Sequence, residues 1–164
     1  MGTEEVQIQR ARAQHVEPMA ALFAMEWEEE RAGAIGLAPH VEQWKSDLRH
    51  AIYMTGFGVA VSATHGPDET VLGAMLCYYT TVWGQSVLRE GGWYVHPSFR
   101  GHGIGFRMLD RAIQEARKDG LACSFGIGTR IGNNTARLLE KYQERGFAPF
   151  SVESFLPLQE VTEK

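Results

Sequence analysis

Residues 95–105 read V-H-P-S-F-R-G-H-G-I-G, and an amphipathic stretch follows at once. A strand over 92–95 is stopped by Pro97, which cannot donate to a sheet ladder. The chain then turns through an Arg/Gly-rich loop and enters a helix near Ile104. With no Cβ at Gly101, Gly103 or Gly105, consecutive backbone N–H groups can crowd around an anion. The helix adds its positive N-terminal end, and Arg100 and Arg107 add full charges. These features together make a pyrophosphate cradle.

Spacing decides which pyrophosphate. A dinucleotide-binding turn requires G-x-G-x-x-G with an acidic residue further on, whereas these glycines fall as G-x-G-x-G. The Gly-Lys-Ser/Thr ending of a nucleotide P-loop is absent. What fits is R-x-x-G-x-G at Arg100, Gly103 and Gly105, preceded by V-x-P. This pattern resembles the cofactor loop of the GNAT superfamily, the acyl-CoA-dependent N-acyltransferases. The competing reading is a glycine-rich turn that holds no ligand.

A chain of 164 residues suits one domain with a real core, here expected over 1–164. Its 44% hydrophobic and 22% charged residues are ordinary for a soluble protein. A net charge of −4 without any Lys/Arg-rich run argues against nucleic acid as a partner. No apolar run approaches the ~20 residues of a membrane span. Residues 1–6 carry neither a signal-peptide pattern nor the Ser/Thr of a myristoylation site. Cys77 and Cys123 lack CxxC spacing and read as reduced core residues, and no metal site is expected. These points place the chain in the cytoplasm.

Periodicity orders the elements. Residues 6–12 alternate as a first strand, with Val6, Ile8 and Arg10 on one face. Pro18 opens a helix with Met19, Leu22, Phe23 and Met25 at helical spacing, running into an acidic stretch over 26–30 interrupted by Trp27. Residues 31–39 are a Gly/Ala-rich loop. A second helix covers 40–53, with Val41, Trp44, Leu48 and Ile52 on one face. Strands follow over 58–64 and 71–81, joined by the hairpin signal H-G-P-D-E-T. Residues 83–89 read as a connector or strand end, and the next strand leads from about Gly91 to the loop. The helix after it spans 104–118 and ends at Gly120. A strand over 121–129, a helix over 134–145 closed by Gly146, and a strand region over 147–156 complete the chain.

The order β-α-α-β-β-β-α-β-α-β matches the GNAT order across nearly the whole chain. The resemblance implies an α/β fold: a mixed, strongly twisted sheet flanked by helices on both faces, with two adjacent strands splayed to admit the acyl thioester. It further implies acetyl-CoA as co-substrate and a primary amine that attacks the thioester carbonyl directly. Within this resemblance, Arg100, Gly101, His102, Gly103, Ile104 and Gly105 hold the pyrophosphate. Backbone at Tyr94 and Val95 pairs with the pantetheine arm as an added strand would, and a backbone N–H near Val95 serves the oxyanion. His96 and His102 read as turn and loop residues rather than catalysts.

The family's helix reading roughly Asn-x-x-Ala-x-x-x-Tyr-x-x-x-Gly-Phe is matched at its end by Tyr142, Gly146 and Phe147. An ordinary phenol of pKa ~10 stays protonated at neutral pH and can protonate a departing thiolate of pKa ~8.5, so Tyr142 is the expected general acid. The front of the motif departs from the pattern: Thr135 and Leu138 stand where Asn and Ala are expected. Asn134 and Asn133, one and two residues earlier, can reach the pantetheine or cap the helix, and the two roles are not exclusive. The family often carries a Glu three or four residues before the position of Val95, where this chain has Gly92 and Gly91. Glu90 becomes the candidate base if a bulge at the glycines brings it into place; the alternatives are a surface strand-end carboxylate, or a site that uses ordered water and no side-chain base.

Glu26, Glu29 and Glu30 share neighbouring helical positions beside Trp27 and can attract a cation, although charged helix runs are usually solvated faces. Residues 78–84, Y-Y-T-T-V-W-G, resemble a stretch of the diamine acetyltransferases, and Tyr79 with Trp83 would form an aromatic wall for an alkyl-ammonium group. A small-molecule amine is therefore favoured over a protein acceptor. No covalent nucleophile stands out. The rival class is a non-catalytic acyl-CoA-binding regulatory module, permitted by the missing Glu and opposed by Tyr142. Residues 150–158 are apolar enough to offer a sheet edge to a second copy, a possible homodimer, or to be the last strand of a monomer.

Overall fold

A computed structural model describes residues 6–29, 39–122, 124–127 and 135–148. Strand β1 (Gln7–Arg10) leads through a 3-10 turn (Ala13–His15) into α1 (Val16–Glu29), and α2 (Val41–Tyr53) follows. Three strands come next: β2 (Gly58–His65), β3 (Thr70–Val82) and β4 (Gln85–Val95). A second 3-10 turn (Pro97–Phe99) precedes α3 (Ile104–Asp119), β5 (Ser124–Gly126) and α4 (Thr135–Gln143). Pro18 lies in the first turn of α1, where its missing N–H breaks no helical bond.

Among the described residues the strands form one sheet in the order β1-β2-β3-β4-β5. Every neighbouring pair is antiparallel except β4 with β5, which is parallel and needs α3 as its crossover. Strand alternation divides the core in two. Val59, Val61, Met75, Cys77 and Leu88 pack towards Ile104, Met108, Leu109 and Ala112 of α3 and Tyr142 of α4. Ala60, Ala74, Leu76 and Tyr94 pack on the other face against Met19, Phe23 and Leu48 of α1 and α2. Helices thus cover both faces of a mixed sheet, as expected.

The helices begin and end close to where the sequence places them, α3 closing on Gly120 in a left-handed conformation. The segment 83–89 is the main correction. It is not a connector: β4 starts at Gln85, and Trp83 and Gly84, both at positive φ (48° and 78°), make the two-residue turn of a β3–β4 hairpin. The hairpin was hidden because tryptophan, not the usual asparagine or aspartate, holds the first turn position. At the C-terminal end, Phe147 and Ala148 are not in a strand; the rest of the strand region over 147–156, and the dimer edge over 150–158, lie outside the described residues. So do residues 31–38 of the expected loop, Glu30, Cys123, Asn133 and Asn134.

Candidate active site

The cradle is built from backbone. His96 caps the 3-10 turn, its Nδ1 accepting from Ser98 N–H at 3.3 Å, and its ring packs on Phe99. Nδ1 of His102 lies 3.3 Å from the Phe99 carbonyl oxygen. Both histidines are therefore turn and loop residues. Gly101 and Gly103 adopt φ of 85° and 72°, a region that costs an L side chain, and open space surrounds the Cβ each lacks. Gly103 is the residue before α3, and no side chain caps the helix there. The N–H groups of the first helical turn have no partner within the helix. Bare left-handed backbone, unsatisfied donors and a helix's positive end fit a phosphate group.

Gly105 has a different reason to be glycine. A Cβ there would lie 3.1 Å from the Trp93 indole, so its small size serves packing beneath the loop. Arg107 is also redirected: its guanidinium donates to the Val6 carbonyl at 2.8 Å. Arg100 acts as a strut. Its Nε donates to the Val95 carbonyl at 2.9 Å, its terminal nitrogen donates to Glu29 at 2.7 Å, and its guanidinium stacks 4.8 Å from the centre of the Tyr94 ring. Tyr94 completes the group by donating its hydroxyl to Glu29 at 2.5 Å. The Tyr94 hydrogen bond and the Arg100 charge hold the Glu29 carboxyl below the usual carboxylate range, while burial and then Glu29 push the Tyr94 phenol up to about 12. The start of the cradle is thereby tied to the last turn of α1.

Strand β4 pairs with β5 at Val87, Leu88 and Arg89, opposite Ser124, Phe125 and Gly126. Among the described residues the β4–β5 register ends there, before Glu90. Leu76 faces Gly92 and Cys77 faces Glu90 on β3, so Gly91 is the extra residue of a β-bulge. The bulge aims both glycines at the α1–α2 face: a Cβ on Gly91 would meet the Tyr78 ring at 2.0 Å, and one on Gly92 would meet Phe23 at 3.0 Å. Glu90 falls on the opposite face, level with Cys77, at the first position past the β4–β5 pairing. Burial, then the Glu90 charge, pushes the Cys77 thiol well up. A thiol so buried and so weakly acidic is no nucleophile.

Tyr142 lies on that same α3 face and is 5% exposed. Its ring sits among Trp93, Phe106 and Phe147, with centroids 6.0–6.3 Å away. Trp93 lies on β4 beyond the end of its pairing with β5, so Tyr142 packs beside that part of the strand. Across the strand, on the α1–α2 face, a small cavity of about 70 Å³ is lined by Phe23, Glu26, Trp27, Trp44, Leu76, Tyr78, Gly91 and Gly92. The predicted wall of Tyr79 and Trp83 does not form. Tyr79 points to the α3 face, donating to Asp119 at 3.0 Å, and Trp83 is 84% exposed at the hairpin tip. Trp44 and Tyr78 take their place; each looked like a core residue of its own element.

A Ser–His–Glu grouping elsewhere is not a second site. Ser62 Oγ lies 2.9 Å from His15 Nδ1, and Glu69 lies 3.3 Å from His15 Nε2. Ser62 is fully buried, and Nδ1 also accepts the Arg12 N–H, so the group holds the turn before α1 in place. Among the described residues no cluster of His, Cys, Asp and Glu has metal-binding geometry, and no helix is long and apolar enough to cross a membrane.

A mixed five-stranded sheet with helices on both faces, a glycine loop opening α3 and a buried tyrosine on α4 make up the frame in which the candidate site residues sit. The chain belongs to the acetyltransferase (GNAT) family, whose sequence model matches residues 3–147. The family's enzymes are N-acetyltransferases that use acetyl-CoA. Solved structures share the fold: a probable acetyltransferase at 21% identity covers 94% of this chain and 99% of its own, with a TM-score of 0.68. An aminoglycoside N-acetyltransferase in complex with CoA is 17% identical, covers 92% of each chain and has a TM-score of 0.66. A ribosomal-protein-alanine N-acetyltransferase from Brucella melitensis biovar Abortus 2308 is 17% identical over 93% of this chain and 97% of its own, with a TM-score of 0.63. No curated protein matches the sequence significantly.

Proposed function

We propose that this chain transfers the acetyl group of acetyl-CoA to a primary amine on a small molecule, by direct attack with both substrates bound. One observation carries the reading: the Gly91–Gly92 bulge leaves β4 without side chains where the aromatic pocket, on one face, meets the strand gap that Tyr142 borders on the other. An amine resting in the pocket is thereby held close to β4, where the glycines let the Tyr78 and Phe23 rings close on to the backbone.

Acetyl-CoA, when bound, supplies an activated acyl carbon. The chain's own residues do the rest. The N–H groups of Gly101, His102, Gly103, Ile104 and Gly105 hold its pyrophosphate at the start of α3. Arg100 fixes the loop through Val95 and Glu29 and adds charge beside it. The backbone at Tyr94 and Val95 orients the pantetheine amides, and Asn134 assists on sequence grounds alone. Glu90, half-buried where β4 and β5 part, takes the proton from the attacking nitrogen, directly or through one water. Tyr142 gives its phenolic proton to the leaving sulfur. The chain serves as a single domain with a cytoplasmic role.

The test is a thermal melt with and without saturating acetyl-CoA, followed by thiol release with a panel of amines. Ligand at about 100 times its dissociation constant adds roughly 2.7 kcal/mol, a shift of several degrees for a domain of this size. Stabilisation followed by amine-dependent thiol release is the expected result. A folded protein that shows neither removes the proposal.

A further inference from the structure

A proton donor works only within hydrogen-bond reach of the atom it serves, and a displacement of about 1 Å can cost about a hundredfold in rate. Tyr142 sits on α4, whereas the thioester is to lie along β4, so the spacing between the two elements has to be set. Three rings stand against the Tyr142 ring. Phe147 follows α4 in the chain and donates its N–H to the Tyr142 carbonyl at 3.1 Å. Phe106 is in the first turn of α3 and is held from outside by Arg145. The guanidinium carbon lies 4.4 Å from the Phe106 ring centre, and its Nε donates to Asp110 at 3.0 Å. These contacts fasten α4 to α3. Of the three rings, Trp93 is the one that belongs to the strand.

The indole is itself fixed. Strand alternation turns it to the α3 face, because its neighbour Tyr94 faces α1 and α2. It meets Phe106 edge-on at 5.9 Å and 78°, and Tyr142 at 6.3 Å with the planes tilted by 36°. Its far edge closes on Gly105, where a Cβ would lie 3.1 Å from Cζ2 and 3.4 Å from Nε1. One side chain on β4 therefore packs against both the start of α3 and the ring of Tyr142.

Resting on the acetyltransferase reading above, with Tyr142 as its acid, we infer that Trp93 is a positioning residue. It sets the reach of the Tyr142 hydroxyl to the leaving sulfur on β4, in register with the cradle at the start of α3. Trp93 exchanges no proton itself and acts through Tyr142.

The experiment is a double-mutant cycle. Thiol release from acetyl-CoA is measured with 2-phenylethylamine, spermidine, kanamycin, a short peptide with a free N-terminus, and water alone, and the fastest acceptor is used for every variant. Trp93→Leu should lower kcat by about tenfold, while acetyl-CoA affinity and the KM of the acceptor stay within about threefold. Trp93→Phe, which keeps a ring, should recover most of the rate and fall about threefold short of wild type. In the Tyr142→Phe background, Trp93→Leu should cost less than about twofold, since the group it positions is already gone. Where the leucine variant does not fold, the cycle is run with Trp93→Phe, whose loss should vanish in the same way. Full kcat in the Trp93 variant assayed overturns the inference. So does a loss that persists undiminished beside Tyr142→Phe, or an equal loss of acetyl-CoA affinity; each of these leaves the acetyltransferase standing. Full kcat in Tyr142→Phe alone overturns both the acid and its positioning residue. No thiol release with any acceptor overturns the inference, and if acetyl-CoA also fails to raise the melting temperature, the acetyltransferase reading falls with it.

Discussion

The cradle and the acceptor pocket lie on either side of one strand, yet they are built on opposite principles. The cradle is a local object: residues 95–105 supply nearly all of it, and its working groups are backbone N–H donors displayed by left-handed glycines. The pocket is a tertiary object. Its walls come from α1, α2, β3 and β4, and its working groups are side chains braced by partners far away in sequence. A backbone site tolerates many sequences but few conformations; a side-chain site does the reverse. Substitutions in the cradle should therefore act through conformation and in the pocket through shape.

The largest expected effect is at Gly103. Valine there must hold a β-branched side chain at φ of 72°, which costs ~1–2 kcal/mol before any ligand is considered, and sets a Cβ in the space open to phosphate. Gly103→Val should reduce acetyl-CoA affinity by about a hundredfold or more, read as loss of ligand stabilisation in the melt. Unaltered affinity would remove the cradle from the argument.

Tyr142→Phe comes next, between the two regions. The ring contacts to Trp93, Phe106 and Phe147 survive and only the hydroxyl is lost. Turnover should fall by about tenfold or more with little change in acetyl-CoA affinity, as expected for a lost general acid. An unchanged kcat would end that role.

In the pocket, Gly91→Ala should act through shape. Its Cβ would fall 2.0 Å from the Tyr78 ring, and Tyr78 is tethered to Asp47, so the ring has to move into the space meant for the acceptor. The KM for the amine should rise by several-fold, about 1 kcal/mol of lost binding, while acetyl-CoA binding stays as it was. Equal losses for both substrates would mean that the bulge serves the cofactor side instead.

These differences also explain what was legible in the sequence. The loop could be read because its spacing, its glycines and the helix after it are all local. The α3 row of Met108, Leu109 and Ala112 and its end at Gly120 followed from periodicity for the same reason. Trp44 and Tyr78 could not be read as partners, because each fits the apolar pattern of its own element and only packing brings them together. The strut from Arg100 to Glu29 spans 71 residues, and nothing local to either announces it. The β3–β4 hairpin was missed because Trp83–Gly84 does the work of a turn in unfamiliar letters.

That strut joins the two regions and offers a pH test of their independence. The Glu29 carboxyl is held below the ordinary value of 4.5, first by the Tyr94 hydroxyl and also by Arg100. A lowered carboxylate adds stability that is present above the unfolded pKa and lost as pH falls through the folded one. Wild-type protein should therefore lose more stability than Glu29→Gln as pH falls below about 4.5. Glu29 is 39% exposed, so the difference is small and salt should shrink it. At neutral pH the variant should weaken acetyl-CoA and the amine by similar modest factors, because it frees the loop and the end of α1 together. An effect on one substrate alone would show that cradle and pocket are not coupled here.

The smallest effect should come from Gly105, and it sharpens the comparison from inside the cradle. Only two residues from Gly103, it has an ordinary helical backbone, and the obstacle to a Cβ is Trp93 at 3.1 Å, not conformation. Alanine would gain up to ~1 kcal/mol in helix propensity over glycine. Against that, the indole has to give by a few tenths of an ångström, and it is backed by Phe106 and Tyr142. The two terms oppose each other at similar size. Gly105→Ala should thus melt within a few degrees of wild type and bind acetyl-CoA within about threefold. A loss comparable to that of Gly103→Val would mean that Trp93, through Tyr142, governs the cradle's shape. The phosphate site would then depend on side-chain packing after all.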